Sequence, residues 1–71
     1  MMTNDLIRIA NAGAGMVIDA NQIMANDLIR MANAASNGSG KIILKNASKC
    51  MTNDLIRIAN AGKENVIFDF T

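Results

Sequence analysis

Residues 2–13, MTNDLIRIANAG, return unchanged as residues 51–62, and a third version, MANDLIRMANAA, fills residues 24–35 with Ala25, Met31 and Ala35 as its substitutions. A repeat of this kind constrains a fold more tightly than composition does. Units of like sequence tend to take like places and bury their apolar sides against one another. The spacing is uneven, 22 residues from Asn4 to Asn26 and 27 from Asn26 to Asn53. Most of the excess falls in Ser36-Asn37-Gly38-Ser39-Gly40, a composition that predicts a longer loop in the middle unit.

Within each copy the apolar residues follow helical spacing: Leu6, Ile9 and Ala10, then Leu28, Met31 and Ala32, then Leu55, Ile58 and Ala59. Ile7, Ile29 and Ile56 widen the stripe. The middle copy has Ala25 where the others have threonine but keeps Asn26, which points to Asn4, Asn26 and Asn53 as helix N-caps, or to an Asx turn just before the helix. Asp5, Asp27 and Asp54 then sit near the positive end of each helix dipole, three residues before Arg8, Arg30 and Arg57. Gly13 and Gly62 suit left-handed C-caps.

Between the copies lie Met16-Val17-Ile18, Ile42-Ile43-Leu44 and Val66-Ile67-Phe68, short apolar runs bounded by turn residues, as strands are. The pattern predicts helices over about 4–12, 26–35 and 53–61 and strands over about 15–19, 41–45 and 65–70, making one domain of three α/β repeats. A helix joining successive strands places those strands parallel, with a right-handed crossover. The expected fold is therefore α/β, a short solenoid-like unit with a three-stranded parallel sheet and the helices on one face. In layout this resembles the leucine-rich-repeat proteins, whose units run about 20–29 residues. Met16-x-Ile18-x-x-Asn21 is similar to their L-x-L-x-x-N core, while the second unit has Ser48 in place of the asparagine.

A chain of 71 residues buries only about 60% of its unfolded surface, so a domain of this size is marginal without a staple. No histidine is present and Cys50 is the single cysteine. An internal disulfide and an ordinary zinc site are excluded, leaving regular packing or self-association. Seven basic against six acidic residues, with half the chain apolar, argue against disorder. No apolar run is long enough to cross a bilayer, and the first residues carry no secretory signal pattern. A cytoplasmic protein with a reduced thiol is expected.

Alternation divides the strands into Val17, Ile42, Leu44, Val66 and Phe68 on one side and Met16, Ile18, Ile43, Lys45, Ile67 and Asp69 on the other. A register shift of one residue exchanges the two sets. Either way both sheet faces carry apolar groups, whereas a parallel sheet normally buries both. This predicts a noncatalytic protein-interaction or self-assembly module using an uncovered sheet face or edge. Its partner would be a second copy, as homodimer or higher oligomer, or another protein. Phe68 and Phe70, the only aromatic residues, are candidate anchors together with Ile43 and Ile67.

Other motifs carry less. Gly38-Ser39-Gly40-Lys41 lacks the first glycine and the hydroxyl residue of a phosphate loop, and leads toward a strand; it reads as a linker. Asn4/Arg8/Asn11, Asn26/Arg30/Asn33 and Asn53/Arg57/Asn60 fall at i, i+4 and i+7, and predict a polar ladder across adjacent helices, its arginines paired to aspartates. Cys50 occupies the slot of Ile23 and reads as a small buried hydrophobe. The methionines read as packing groups. Lys41, Lys45, Lys49 and Arg57 support an alternative, a small nucleic-acid-binding regulator. A net charge of +1 and the absence of tyrosine and tryptophan weigh against it. No catalytic constellation, cofactor site or metal site is expected. An unchanged twelve-residue repeat also points to recent internal duplication or to a designed sequence.

Overall fold

A computed structural model describes residues 2–71. The elements alternate as α1 (Thr3–Asn11), β1 (Met16–Asp19), α2 (Ala25–Gly38), β2 (Ile42–Lys45), α3 (Thr52–Gly62) and β3 (Val66–Phe68). Short 3-10 turns at Ala20–Gln22, Ala47–Lys49 and Lys63–Asn65 complete the connections. The strands form one sheet in the order β1-β2-β3, parallel throughout. With β2 in the middle, the register across the sheet runs Met16–Ile42–Val66, Val17–Ile43–Ile67 and Ile18–Leu44–Phe68. The protein is thus a small α/β domain with three helices and a three-stranded parallel sheet. Helix α2 lies between α1 and α3.

One sheet face is packed and the other open. Ile18, Ile42 and Leu44 are buried with Ala10, Leu28, Met31, Ala32 and Ile58, while Met16, Val66 and Phe68 pack against them. Val17, Ile43 and Ile67 form the middle row of the other face. The side assignment from alternation is corrected for β1: Met16 and Ile18 face the helices and Val17 faces away. The four strand residues of β1 pair in line with those of β2, so Met16 shares a side with Ile42.

The helix starts also differ from expectation. The N-cap positions belong to Met2, Met24 and Met51, each in an extended conformation with no side-chain cap bond. Their carbonyls accept from Leu6, Leu28 and Leu55, so helix begins one residue before each asparagine. These methionines are 72%, 74% and 71% exposed. Packing is therefore not their role, in contrast to Met31, which is wholly buried.

Helix α2 runs through Ser36, Asn37 and Gly38, where sequence composition predicts a loop, and ends at Ser39 in the left-handed region with φ 65°. The reason is tertiary. Gly38 lies so close to α1 that a Cβ would collide with the carbonyl oxygens of Ala10 and Asn11, and an added helical turn brings that backbone into contact. Gly62 is helical rather than left-handed, with φ −98°. A Cβ there would strike Val66 and press on Ala32. Only Gly13, at φ 98°, uses the conformational freedom that a C-cap role predicts for both.

The second unit carries one further extra residue. In the sheet Asp19 pairs with Lys45, but Ala47, not Asn46, occupies the buried slot that Ala20 holds in the first unit. Asn46 is accommodated between them in the left-handed region at φ 59°, a conformation asparagine tolerates better than most residues.

This packing leads to two expected outcomes. Met24→Ser and Met51→Ser supply the missing cap acceptor at exposed positions and are each expected to raise the unfolding free energy by about 1 kcal/mol in denaturant titration. Gly38→Ala sets two effects against each other. Helix propensity favours alanine by about 1 kcal/mol, whereas overpacking against the α1 carbonyls costs about 1–3 kcal/mol. A net loss of stability is expected, and a gain would show that α1 and α2 separate freely there.

Candidate functional site: the open sheet face and its charged border

The open face is built by β-strand alternation. Its centre is the row Val17, Ile43 and Ile67. Val17 is 64% and Ile67 44% exposed, with Ile43 on the central strand half-buried between them. At the C-terminal ends of the strands, Asp19 pairs in register with Lys45. Asp69 follows β3 on the far side of Lys45, its amide donating to the Leu44 carbonyl at 2.9 Å. The lower border is thus acid, base, acid. At the opposite end Lys41 shares the side of Ile43 and Lys45 by alternation, and its Nζ donates to the Glu64 carbonyl at 3.1 Å. Nearby, the Asn65 amide donates to the Gly40 carbonyl at 2.7 Å, tying β3 to the entry of β2.

Both border aspartates are held ionised. Asp19 Oδ1 accepts from the Asn46 side chain at 2.9 Å and from the Asn21 backbone at 2.9 Å. The Asn46 bond, more than the backbone bond or the nearby Lys45, holds its carboxyl below the ordinary carboxylate range. Asp69 is lowered chiefly by the Thr71 hydroxyl, then by the Thr71 backbone amide.

The four candidate interaction residues do not form one patch. Ile43 and Ile67 are neighbours in the open row. Phe68 is half-buried and packed against the core on the helix side. Phe70 is exposed beyond the end of β3, its ring centroid 6.0 Å from that of Phe68 at a tilted angle. The four candidate basic residues are likewise spread. Lys41 and Lys45 lie on the open face, Lys49 is exposed in the turn after β2, and Arg57 is on α3 with Asp54 at 3.7 Å. Lys45 is flanked by two carboxylates, which offsets its charge toward an anionic ligand.

All nine residues of the polar ladder are exposed: Asn4, Arg8, Asn11, Asn26, Arg30, Asn33, Asn53, Arg57 and Asn60. A bond across adjacent helices occurs from Arg30 to Asn4 Oδ1 at 3.4 Å, and Arg30 also meets Asp27 at 3.3 Å. Cys50 is half-buried against the core. Burial, then the Asp54 charge, pushes its thiol pKa up, the opposite of what a nucleophile requires. Among the described residues, no group of His, Cys, Asp and Glu is arranged to hold a metal ion, and no helix is long and apolar enough to cross a membrane. Sequence reasoning missed the acid-base-acid border. The signal was Asp19 and Lys45 each one step past a strand's apolar run, but reading them as neighbours needed the register.

No protein-family model, curated protein or solved structure matches the chain.

Asn46→Gly keeps the left-handed backbone and deletes the amide. The Asp19 carboxyl, followed by NMR titration, is expected to move up toward its ordinary value. Stability contributed by this bond is full above the ordinary carboxylate pKa and is lost as pH falls through the lowered value. The native protein should therefore be slightly more stable than the variant at neutral pH, and the two should converge in acid.

Proposed function

We propose that the protein is a noncatalytic self-assembly module whose three units stack as solenoid-like repeats and whose open sheet face docks on a second copy. The supporting observation is the apolar row Val17, Ile43 and Ile67, left uncovered on a parallel sheet. Parallel sheets are ordinarily buried on both faces. The charged borders favour a second copy over an unrelated protein. With strands of the two copies running antiparallel, a two-fold axis brings Lys41 of each over the Asp19, Lys45 and Asp69 border of the other and apolar row onto apolar row. Such an interface is self-complementary, as two-fold contacts must be.

The face is three strands wide and three residues deep. That places it among small interfaces, below about 1,200 Å² in total, whose complexes are weak and concentration-dependent. The spread of Lys41, Lys45, Lys49 and Arg57 over separate surfaces favours this reading over nucleic acid binding, which draws on a continuous basic patch.

A dilution series followed by NMR tests the proposal. Amide shifts of Lys41, Ile43 and Lys45, on the central strand and away from both sheet edges, are expected to move together between micromolar and millimolar protein, and Ile43→Asp is expected to abolish the change at Lys41 and Lys45. Shifts at these positions that stay constant across the series would rule the face out.

A further inference from the structure

The two ends of the helix layer present different stripes of the repeated helix. Asn4 of α1 accepts from Arg30 of α2, and a Cβ on Gly38 would meet the Asn11 carbonyl. The α1 stripe that faces α2 therefore runs Asn4, Ile7, Asn11. The answering stripe of α2 contains Arg30 and Gly38, with Met31 and Ala34 buried beside them. By the repeat, Met31 and Ala34 correspond to Ile9 and Ala12 in α1 and to Ile58 and Ala61 in α3. In α3 this second stripe turns toward α2: Ile58 is wholly buried, and Gly62 lies against Ala32.

Each outer helix leaves unused the stripe that the other uses. On α3 the counterpart of Ile7 is Ile56, which is 53% exposed, flanked by exposed Asn53 and Asn60. On α1 the second stripe is open, and Asp5, Arg8, Ile9 and Ala12 line a depression of about 370 Å³. A second depression of about 390 Å³ opens at the same end of the molecule, along β1, lined by Thr3, Leu6, Val17 and Ile23 among others. Since residues 2–13 and 51–62 are identical, the chain presents a knob at its α3 end and an unfilled socket at its α1 end. Within the chain, the same kinds of residue already pack together between α1 and α2.

We infer that copies of this chain associate head to tail, Ile56 of one copy entering the Asp5/Arg8/Ile9/Ala12 socket of the next. Asn53 meets Arg8 of the neighbour as Asn4 meets Arg30 within the chain. The free edge of β3 then lies alongside the free edge of β1 of the next copy, in the parallel sense that continues the sheet. Both layers extend in the same direction. The contact is heterologous: its two sides are different surfaces, so each added copy exposes a fresh socket and association does not stop at a dimer. This surface is separate from the open sheet face and does not depend on its use.

The contact is tested with two exposed-site variants, Ile56→Glu, which blocks the knob, and Ala12→Glu, which blocks the socket. Sedimentation velocity of the native protein is expected to show a series of species growing with concentration. With Ile43→Asp added to both variants to remove the sheet-face contact, each variant alone is expected to sediment as a monomer with native helix content by circular dichroism. Mixed in equal amounts they are expected to form one discrete heterodimer, since the mixture retains one native knob and one native socket per pair. A native protein that stays monomeric at millimolar concentration overturns the inference. So do variants that assemble as the native chain does, or a mixture that yields no heterodimer. Ile43→Asp, which alters only the sheet face, is expected to leave the head-to-tail series intact, so the two contacts fail separately.

Discussion

Close approach through small side chains is the constraint on which the rest of this structure depends. A chain with two aromatic residues cannot fill its interior with large rings. Instead α2 meets its neighbours through Ala32, Ala34, Ala35 and Gly38, and the turns after β1 and β2 rest on Ala20 and Ala47, all but Gly38 buried. Small residues bring backbones near enough for Leu28, Met31, Ile42, Leu44 and Ile58 to close into one core. The same constraint explains why α2 is longer than its neighbours: its last turn carries Gly38 against the carbonyls of Ala10 and Asn11 in α1.

The middle unit is covered on both sides, and the outer ones on one. That difference, not sequence, separates Ile58 from its counterpart Ile9 and Ile7 from its counterpart Ile56. Identical residues have unequal burial because burial belongs to the place in the stack. Helix ends show the same dependence. The segment ending in Asn-Ala-Gly leaves the helix at Ala12 in the first copy, where Gly13 takes positive φ, and stays helical through Gly62 in the third. The connection to the next strand sets the difference. Ala14-Gly15 leads α1 into β1, whereas a short 3-10 turn leads α3 into β3, with Val66 packed beside Gly62.

On the sheet, polar and apolar residues are sorted by row. The apolar row lies between charged borders, and in the lower one Lys45 sits in register with Asp19 and next to Asp69, leaving a net negative border. Asn46, just past β2, ties that border to the end of β1 by donating its side-chain amide to the Asp19 carboxylate. An inserted residue thus becomes the link between adjacent strands. A border of alternating sign discourages a uniformly charged ligand, which meets charges of both signs there.

The repeat, the periodicities of helix and strand, and the loop chemistry between them determined that this chain alternates helix and strand. From that alternation a parallel sheet follows by connectivity. Local residue patterns suffice there because the apolar stripe and the two-residue alternation are properties of each segment by itself. Tertiary structure alone decided the side on which Val17 lies, the helical fate of Ser36 to Gly38, the exposure of the three N-cap methionines, and the division of Ile43 and Ile67 from Phe68 and Phe70. Each of these depends on distances between segments far apart in the chain. Asn4, Asn26 and Asn53 were plausible caps by residue type, yet the preceding methionines hold the cap position because the backbone enters the helix one residue earlier. Equal sequences could not by themselves reveal which copy would be enclosed; only the order of packing makes one helix central and leaves two with an unused side.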